Sequence, residues 1–170
     1  MNKLLKLAVC MALPVAGAMF VPVASATVGT ATTTVPVTAT VIDSCTVEAS
    51  PVLFGNYNGI SGAALDAVAI VSPTCTVGTA YSIDLSAGLG NDATHTTRKL
   101  TGPDGAALAY SIYTDISRTT VWGNGTAGTA TPLGVGAGVA QSVMMYGRVP
   151  AAQSSMVGSY ADTITVTVAY

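Results

Sequence analysis

The residues that most often carry catalysis are few and widely separated in this chain of 170 residues. His95 is the single histidine, and it lies in the polar segment 91–98, which is typical of a solvated loop. The eight acidic residues occur singly, so a glycosidase pair would have to be assembled by folding, and no G-x-S-x-G motif supplies a nucleophile. The sequence therefore predicts no catalytic residue, no cofactor and no enzyme activity.

Two other segments contain residue types that bind ligands in some proteins. Gly134, Gly136 and Gly138 alternate, but they lack the third spaced glycine, the helix and the acid of a dinucleotide-binding loop. We therefore expect a flexible hairpin loop there. Trp122 could stack on a sugar, although an aromatic residue at strand spacing usually packs in or beside a core.

The composition excludes several classes of protein. Lys, Arg, Asp and Glu make up 8% of the chain, half of the residues are hydrophobic, and the mean hydropathy is +0.57. A disordered tail, a coiled coil and a nucleic-acid-binding protein all need more charge than this. The remaining classes are a secreted all-β protein and a membrane protein.

The N-terminal segment decides between these two classes. Lys3 and Lys6 precede an apolar run, residues 7–23, which ends in Ala24-Ser25-Ala26, and this is the pattern of a secretory signal with its cleavage site. Prolines interrupt the run, and no later stretch approaches the roughly 18 apolar residues of a membrane-spanning helix. We expect residues 1–26 to be a signal peptide and the mature chain to have no membrane span.

Two cysteines, Cys45 and Cys75, remain after Cys10 leaves with the signal. An even pair in an exported chain indicates one disulfide, which would stabilise the fold by roughly 3–4 kcal/mol. The alternative is a two-cysteine metal site, for which His95 is the one further soft ligand. We expect the disulfide and no metal.

Short alternating runs of Val, Ile, Thr and Tyr predict an all-β fold, since no window combines helical spacing with capping signals. Turn residues such as Asp104-Gly105 and Asn124-Gly125 separate the runs, and Asp115 with Arg118 predicts a further turn. Many short strands favour a sandwich or barrel in one domain. We predict strands near 35–41, 45–49, 52–54, 67–71, 74–77, 81–85, 108–113, 120–122, 142–149 and 164–170.

The two ends of the mature chain predict assembly. Tyr170 is the last inward position of a strongly patterned strand that no edge protection follows, and such an edge invites another strand to pair with it. Residues 27–43 form an arm of Thr, Val and Ala that carries no charge before Asp43, and it would gain by joining another molecule's sheet edge. A contact of this kind that does not close gives filaments.

The chain resembles the spore coat protein U domain proteins, which include the subunits of archaic chaperone–usher pili such as the Csu pilus. The resemblance covers essentially the whole mature chain. It is carried by several motifs in one order: 39–47 (ATVIDSCTV), 53–57 (LFGNY), 108–119 (LAYSIYTDISRT), 121–126 (VWGNGT) and 158–170 (GSYADTITVTVAY).

The resemblance implies an immunoglobulin-like β-sandwich over residues 44–170 that lacks its last strand. It implies a structural pilin, held by a periplasmic chaperone, passed to an outer-membrane usher and completed by donor-strand exchange with another copy. It also matches Cys45 and Cys75 to the family's disulfide. The expected location is a fimbrium at the cell surface, where such fibres serve attachment and biofilm formation.

The resemblance matches the arm before Cys45 to the donor segment and the ending from Gly158 to the strand that lines the acceptor groove. Alternation assigns the donor side chains and the groove side chains, and a slip of one residue would present Thr34, Pro36, Thr38 and Thr40 instead. The assigned donors are Val35, Val37, Ala39 and Val41, and the groove residues are Ile164, Val166, Val168 and Tyr170.

Two alternative functions remain open at this stage. The first is a self-assembling coat protein of a spore, cyst or cell surface, which would use the same fold without an usher. The second is a secreted carbohydrate-binding module that uses Trp122 and the tyrosines, with the N-terminal arm folded back on its own sheet.

Overall fold

A computed structural model describes residue 26, residues 28–60 and residues 62–170. The predicted signal peptide, residues 1–26, lies outside the described residues except for Ala26. The chain divides into two units, Met1–Ala39 and Thr40–Tyr170. The strands named below all belong to the second unit.

The runs of alternating residues form antiparallel strands. The strands are β1 (Cys45–Ala49), β2 (Leu65–Cys75), β3 (Ala80–Leu85), β4 (Arg98–Thr101), β5 (Ala107–Tyr113), β6 (Leu133–Val135), β7 (Val143–Val149) and β8 (Val166–Ala169). β1, β2, β7, β5 and β4 make a five-stranded sheet in that order, and β6, β3 and β8 make a three-stranded sheet. A short 3-10 helix, Pro103–Gly105, joins β4 to β5. The predicted all-β sandwich is confirmed.

Within the described residues, the structure contains no helix of the length and hydrophobicity that crossing a membrane requires.

One core lies between the sheets, and period-two alternation fills it. Along β2 the inward Ala69 and Val71 are buried, whereas the intervening Val68 and Ile70 are exposed on the outer face. Trp122 is fully buried and donates its indole N–H to the Ile83 carbonyl oxygen at 2.8 Å. Trp122 is therefore a core residue, as an aromatic residue at strand spacing usually is. The other large buried members are Tyr81, Ile83, Leu85, Leu108, Tyr110, Ile112, Met145 and Val149.

Several sequence-based boundaries differ from the structure. Residues 52–54 alternate in burial but form no strand, because the β1 ladder ends at Ser50, whose side-chain hydroxyl accepts the Ile70 N–H at 2.8 Å. Residues 120–122 form only isolated bridges, from Val121 to Tyr113 and from Trp122 to Ala130. The predicted strands 67–71 and 74–77 correspond to one continuous β2, which ends at Cys75.

Two strands escaped the sequence analysis. The segment expected to be a glycine-rich loop contains β6, where Gly134 pairs with Tyr81 and leaves room for its ring: a Cβ on Gly134 would lie 2.3 Å from the ring. β4 is four residues long and begins with two charged residues, Arg98 and Lys99, so no alternation of apolar residues marks it.

The arm forms no strand in the isolated chain. Residues 28–44 lie in no helix or strand, and the side chains of Val35, Val37 and Val41 are exposed. The predicted strand at residues 35–41 is thus absent from the single subunit. At the other end, the strand expected over 164–170 is shorter, because β8 spans Val166–Ala169 and Tyr170 follows it with 61% exposure.

A fully buried arginine holds together the end of the sandwich at which β4 begins. Arg98 donates to the carbonyl oxygens of Ser86 at 2.9 Å, His95 at 3.1 Å and Trp122 at 2.9 Å. Burial lowers the pKa of its guanidinium. These three carbonyls come from three loops, so one cation satisfies acceptors that no ladder reaches.

The predicted disulfide joins Cys45 to Cys75, which face each other at the first position of the β1–β2 ladder. It fixes the start of β1 to the end of β2 and closes a loop with a sequence separation of 30 residues.

Replacing Cys45 with Ser should lower the free energy of unfolding by about 3–4 kcal/mol, since the unfolded chain regains the entropy of the open loop. Urea denaturation of the oxidised chain, the reduced chain and Cys45→Ser measures this. The reduced wild type should match the variant, and equal stability of the oxidised and reduced chains would contradict the assigned role.

Replacing Arg98 with Met should lower the free energy of unfolding by about 3 kcal/mol, because the Trp122 carbonyl stays buried without its donor and the carbonyls of Ser86 and His95 lose theirs. Lys99→Met, at the next position of β4, is the matched control and should have a much smaller effect. Equal losses for the two variants in urea denaturation would show that the buried hydrogen bonds are not what matters.

Candidate functional site

Two strands at the edges of their sheets lie close to each other along one side of the sandwich. Within residues 28–60 and 62–170, β1 pairs with β2 and β8 pairs with β3, and the other edge of each faces no strand. β1 and β8 approach one another across the gap between the sheets. The sandwich therefore has an open seam, with unpaired backbone groups on both sides.

Burial falls towards this seam. On β3, Ile83 and Leu85 are fully buried, whereas the inward Val166 and Val168 of the adjoining β8 are only half-buried. β1 shows the same decline, since its inward Val47 is half-buried beside the fully buried Val71 of β2. The alternation on both edge strands belongs to a core that nothing covers from the seam side.

The seam widens into a groove of about 1470 Å³. Residues 49–60, which follow β1, line one side, and residues 153–164, which lead into β8, line the other. Its volume exceeds the roughly 300–1000 Å³ of most small-molecule sites. Its shape suits an extended chain segment. Its floor consists of Leu100, Leu108, Tyr110, Met145, Val149 and Val166.

The rim of the groove exposes large apolar side chains. Ile60 is 99% exposed and Val157, on the opposite rim, 101%. Leu53 and Met156 are also more than half exposed. An exposed apolar rim beside unpaired strand edges is the usual mark of a surface that another chain covers.

Tyr57 fixes the side of the groove that follows β1. Its hydroxyl donates to the Pro150 carbonyl oxygen at 2.9 Å and accepts from the Gln153 N–H at 2.8 Å. Phe54 packs edge-on against Tyr110, with ring centroids 5.8 Å apart, and Gly147 leaves the space for it. Residues 51–60 are thus held in place without a ladder.

Gln153 replaces a missing strand residue on the other side. Pro150 has no N–H and follows the end of β7, so the backbone of Ala109 in β5 lacks a ladder partner there. The Gln153 side-chain amide meets both groups: its oxygen accepts from the Ala109 N–H at 2.8 Å and its nitrogen donates to the Ala109 carbonyl at 2.9 Å. This pairing positions the start of residues 153–164.

Asp162 anchors the entry to β8. Its carboxylate accepts from the Leu89 N–H at 2.7 Å and from the Tyr110 hydroxyl at 2.7 Å. Burial, together with the hydrogen bond to Asp162, raises the pKa of Tyr110, so this phenol remains a neutral donor. Tyr160 adds a bond from its hydroxyl to the Met156 carbonyl at 2.8 Å. Tyr160 and Asp162 thus form a corner that anchors the entry to β8 by side-chain hydrogen bonds.

The predicted groove residues occupy different positions. Ile164, Val166 and Val168 are half-buried and pack against the core from the seam side. Ile164 and Val166 also line the groove, whereas Val168 does not. Tyr170 lies beyond β8, is largely exposed and does not line the groove. The sequence analysis gave no role to Tyr57 or Gln153, although Tyr57 lies in one of the motifs quoted above.

The residues considered for other chemistry have structural surroundings. His95 lies in a loop, where its carbonyl receives Arg98. Asp115 forms the expected turn by accepting from the backbone N–H groups of Thr119 and Thr120, which hold the pKa of its carboxyl below the usual value. The Arg118 side chain turns away and pairs with Asp66 at 3.2 Å.

The arm joins the domain at a fixed root, residues 42–44. The Thr79 hydroxyl donates to the Asp43 carboxylate at 2.8 Å, and Thr79 is itself buried. The Thr76 hydroxyl lies 3.4 Å from the Ile42 carbonyl oxygen and 3.3 Å from that of Ser44, and the Thr76 N–H donates to Ser44 at 2.9 Å. The disulfide at Cys45 follows directly.

Known proteins match this chain at three levels, which are family, sequence and fold. A model of the spore coat protein U domain matches residues 31–167. Protein U of Myxococcus xanthus is 32% identical over 127 residues, which is 69% of this chain and 70% of that protein.

The third match is a solved structure. It is the CsuC–CsuE chaperone–tip adhesion subunit pre-assembly complex from the archaic chaperone–usher Csu pili of Acinetobacter baumannii, with a TM-score of 0.53 and 22% identity. The match covers 77% of this chain but 40% of the solved chain. At this identity the match shows a shared fold.

Tyr57→Phe should loosen one side of the groove without disturbing the core. The loss of the bonds to Pro150 and Gln153 should lower the free energy of unfolding by about 1–2 kcal/mol. Hydrogen exchange should rise in residues 51–59 and stay unchanged in β3. Tyr146→Phe, on the outer face of β7, is the control, and unchanged exchange in residues 51–59 of Tyr57→Phe would contradict the assignment.

Proposed function

Because the chain belongs to the spore coat protein U domain family, we propose that it is a structural pilin that polymerises by donor-strand exchange. In this proposal residues 27–43 of one copy fill the open groove of another copy. The fibre stands on the cell surface and serves attachment and biofilm formation. Its function is assembly, and no catalytic step is assigned to any residue.

The observation that carries the proposal is the decline of burial towards the seam. Ile83 and Leu85 on β3 are fully buried, but Val166 and Val168 on the neighbouring β8 are only half-buried at the open seam. A strand added beside β8 would cover these side chains and pair with the free backbone edge at once. No small ligand offers both interactions.

The arm has the composition that such a strand needs. Val35, Val37, Ala39 and Val41 alternate with small residues and are exposed in the single chain. Burying these four side chains would contribute on the order of 5–8 kcal/mol before the cost of ordering the arm. The backbone hydrogen bonds to β8 add to this.

Pro36 limits how the arm can pair. Its nitrogen has no hydrogen, so a donor strand accommodates it where that nitrogen faces away from β8 or near the start of pairing. In the register that points Val35, Val37 and Ala39 inward, Pro36 itself points outward.

The open groove also accounts for the proposed partners before assembly. An exposed apolar groove beside a free strand edge is prone to aggregation in the periplasm. A periplasmic chaperone would cover it, and an outer-membrane usher would exchange the chaperone for the arm of the next copy. The Csu complex, in which a chaperone holds a tip adhesion subunit before assembly, supports the chaperone step.

Val37→Arg tests the proposal. A charge at an inward donor position should abolish polymerisation, because the groove is apolar, while the variant still folds and still accepts the arm of a wild-type copy. Thr38→Arg, one residue along and on the outward side, should polymerise normally. Electron microscopy and sedimentation of the purified chains measure both.

The pair of variants also tests the register. Normal fibres from Val37→Arg together with none from Thr38→Arg would place the other face of the arm inward. Normal fibres from both variants would contradict the donor assignment altogether.

A second candidate is a self-assembling surface coat, which the family's description and the identity to Protein U favour. The groove and the arm could join copies in a coat as well as in a fibre. Deletion of the usher in the producing cell separates the two functions: a pilus disappears from the surface, whereas a coat remains.

A further inference from the structure

The arm could, by its sequence pattern, fill the groove of its own chain. If the arm turned back at the root, the three residues 42–44 would form the loop of a β-hairpin with β1, and three-residue loops are common in hairpins. Val41 would then face Cys45, Ala39 would face Val47, and Val37 would face Ala49.

This register would place the apolar side chains of the arm on the correct face. Residues directly opposite in an antiparallel pair point to the same side of the sheet. Cys45 and Val47 point towards the core. Ala39 and Val41 would therefore point towards it too. The sequence alone thus does not prevent self-capture, by which we mean pairing of the arm with its own domain.

Self-capture would also be favoured by concentration. An arm tethered to its own domain by a short loop acts at an effective concentration in the millimolar range, far above that of a second exported copy. A chain that assembles with other copies therefore needs a feature that disfavours its own arm.

The hydrogen bonds of the root are such a feature. The Thr79 hydroxyl, just before β3 in the other sheet, donates to the Asp43 carboxylate at 2.8 Å. The Thr76 hydroxyl, in the connection between β2 and β3, makes a weaker contact that is divided between the carbonyl oxygens of Ile42 at 3.4 Å and Ser44 at 3.3 Å. A hairpin loop at residues 42–44 must reverse the chain there, and this takes Ile42 and Asp43 away from both partners. The disulfide at Cys45 keeps β1 from shifting to restore them.

We propose that the Asp43–Thr79 hydrogen bond, supported by the weaker contact of Thr76 with Ile42, holds the arm out of its own groove and so directs it to a second copy of this chain. This inference rests on the proposed function, since it names the residues that position the donor arm. Thr76 and Thr79 are positioning residues, because they act through the root and do not touch the groove.

The test compares open and self-captured monomers. The mature chain is refolded with its disulfide at a concentration too low for polymerisation, and amide hydrogen exchange is measured at residues 35–41 by mass spectrometry. The variants are Thr76→Val with Thr79→Val, which keep the side-chain volume and remove both hydroxyls. Thr46→Val, on the exposed face of β1, is the control.

The wild type and Thr46→Val should exchange freely at residues 35–41, and the double variant should be protected there. The loss of the Thr79 hydrogen bond and of the weaker Thr76 contact should shift the ratio of self-captured to open monomer by about tenfold. If Thr79→Val lowers the yield of folded chain, Asp43→Ala removes the exposed carboxylate that accepts the same bond, and residues 35–41 should again be protected.

Free exchange in the double variant and in Asp43→Ala would overturn the inference, and so would protection already present in the wild-type monomer. The proposed function is tested separately by raising the concentration. A wild type that never polymerises while the double variant is protected would contradict the pilin and leave the role of the root intact. Wild-type fibres together with an unprotected double variant would support the pilin and overturn the role of the root.

Discussion

The structure of this protein depends on a strand, β8, that is hydrogen-bonded to a neighbouring strand along one edge alone. β8 pairs with β3 and leaves its other edge free, so Val166 and Val168 are covered from one direction alone. The half-buried residues of β1, the apolar rim at Ile60 and Val157 and the volume of the groove all follow from that gap. The low charge of the chain fits the same constraint, because charged residues beside the groove would hinder the strand that covers it.

The remaining structure compensates for the gap by fixing what surrounds it. Tyr57 and Gln153 hold the two sides of the groove with single side chains where no ladder runs. Asp162 ties the entry of β8 to Tyr110, and the nearby buried Arg98 joins three loops. The disulfide and the root do the same for β1. A groove held open in this way needs little reorganisation when a strand enters, which favours binding.

The sequence was informative where burial depends on local alternation. β2, β3, β5 and β7 each lie between two other strands of their sheet, so the alternation of buried and exposed residues along them was visible in the sequence. The disulfide followed from the even number of cysteines left after the predicted signal peptide. β6 was missed because it contains Gly134, a residue typical of loops, whose missing side chain leaves room for the Tyr81 ring. β4 was missed because it begins with the buried cation Arg98. The roles of Tyr57, Gln153 and Arg98 depend on carbonyl groups distant in sequence, and no pattern along the chain reveals such partners. The donor and groove assignments came from alternation and family resemblance, and they remain predictions.

The proposed assembly requires that another copy's arm complete each sandwich. A cryo-electron microscopy map of the purified assembly can show this, because side-chain density identifies both the segment in the groove and the chain to which it belongs. We expect residues 35–41 of one copy beside β8 of the next, with Val37 and Ala39 pointing inward. A groove filled by the copy's own arm, or left empty within an intact assembly, would contradict the proposal.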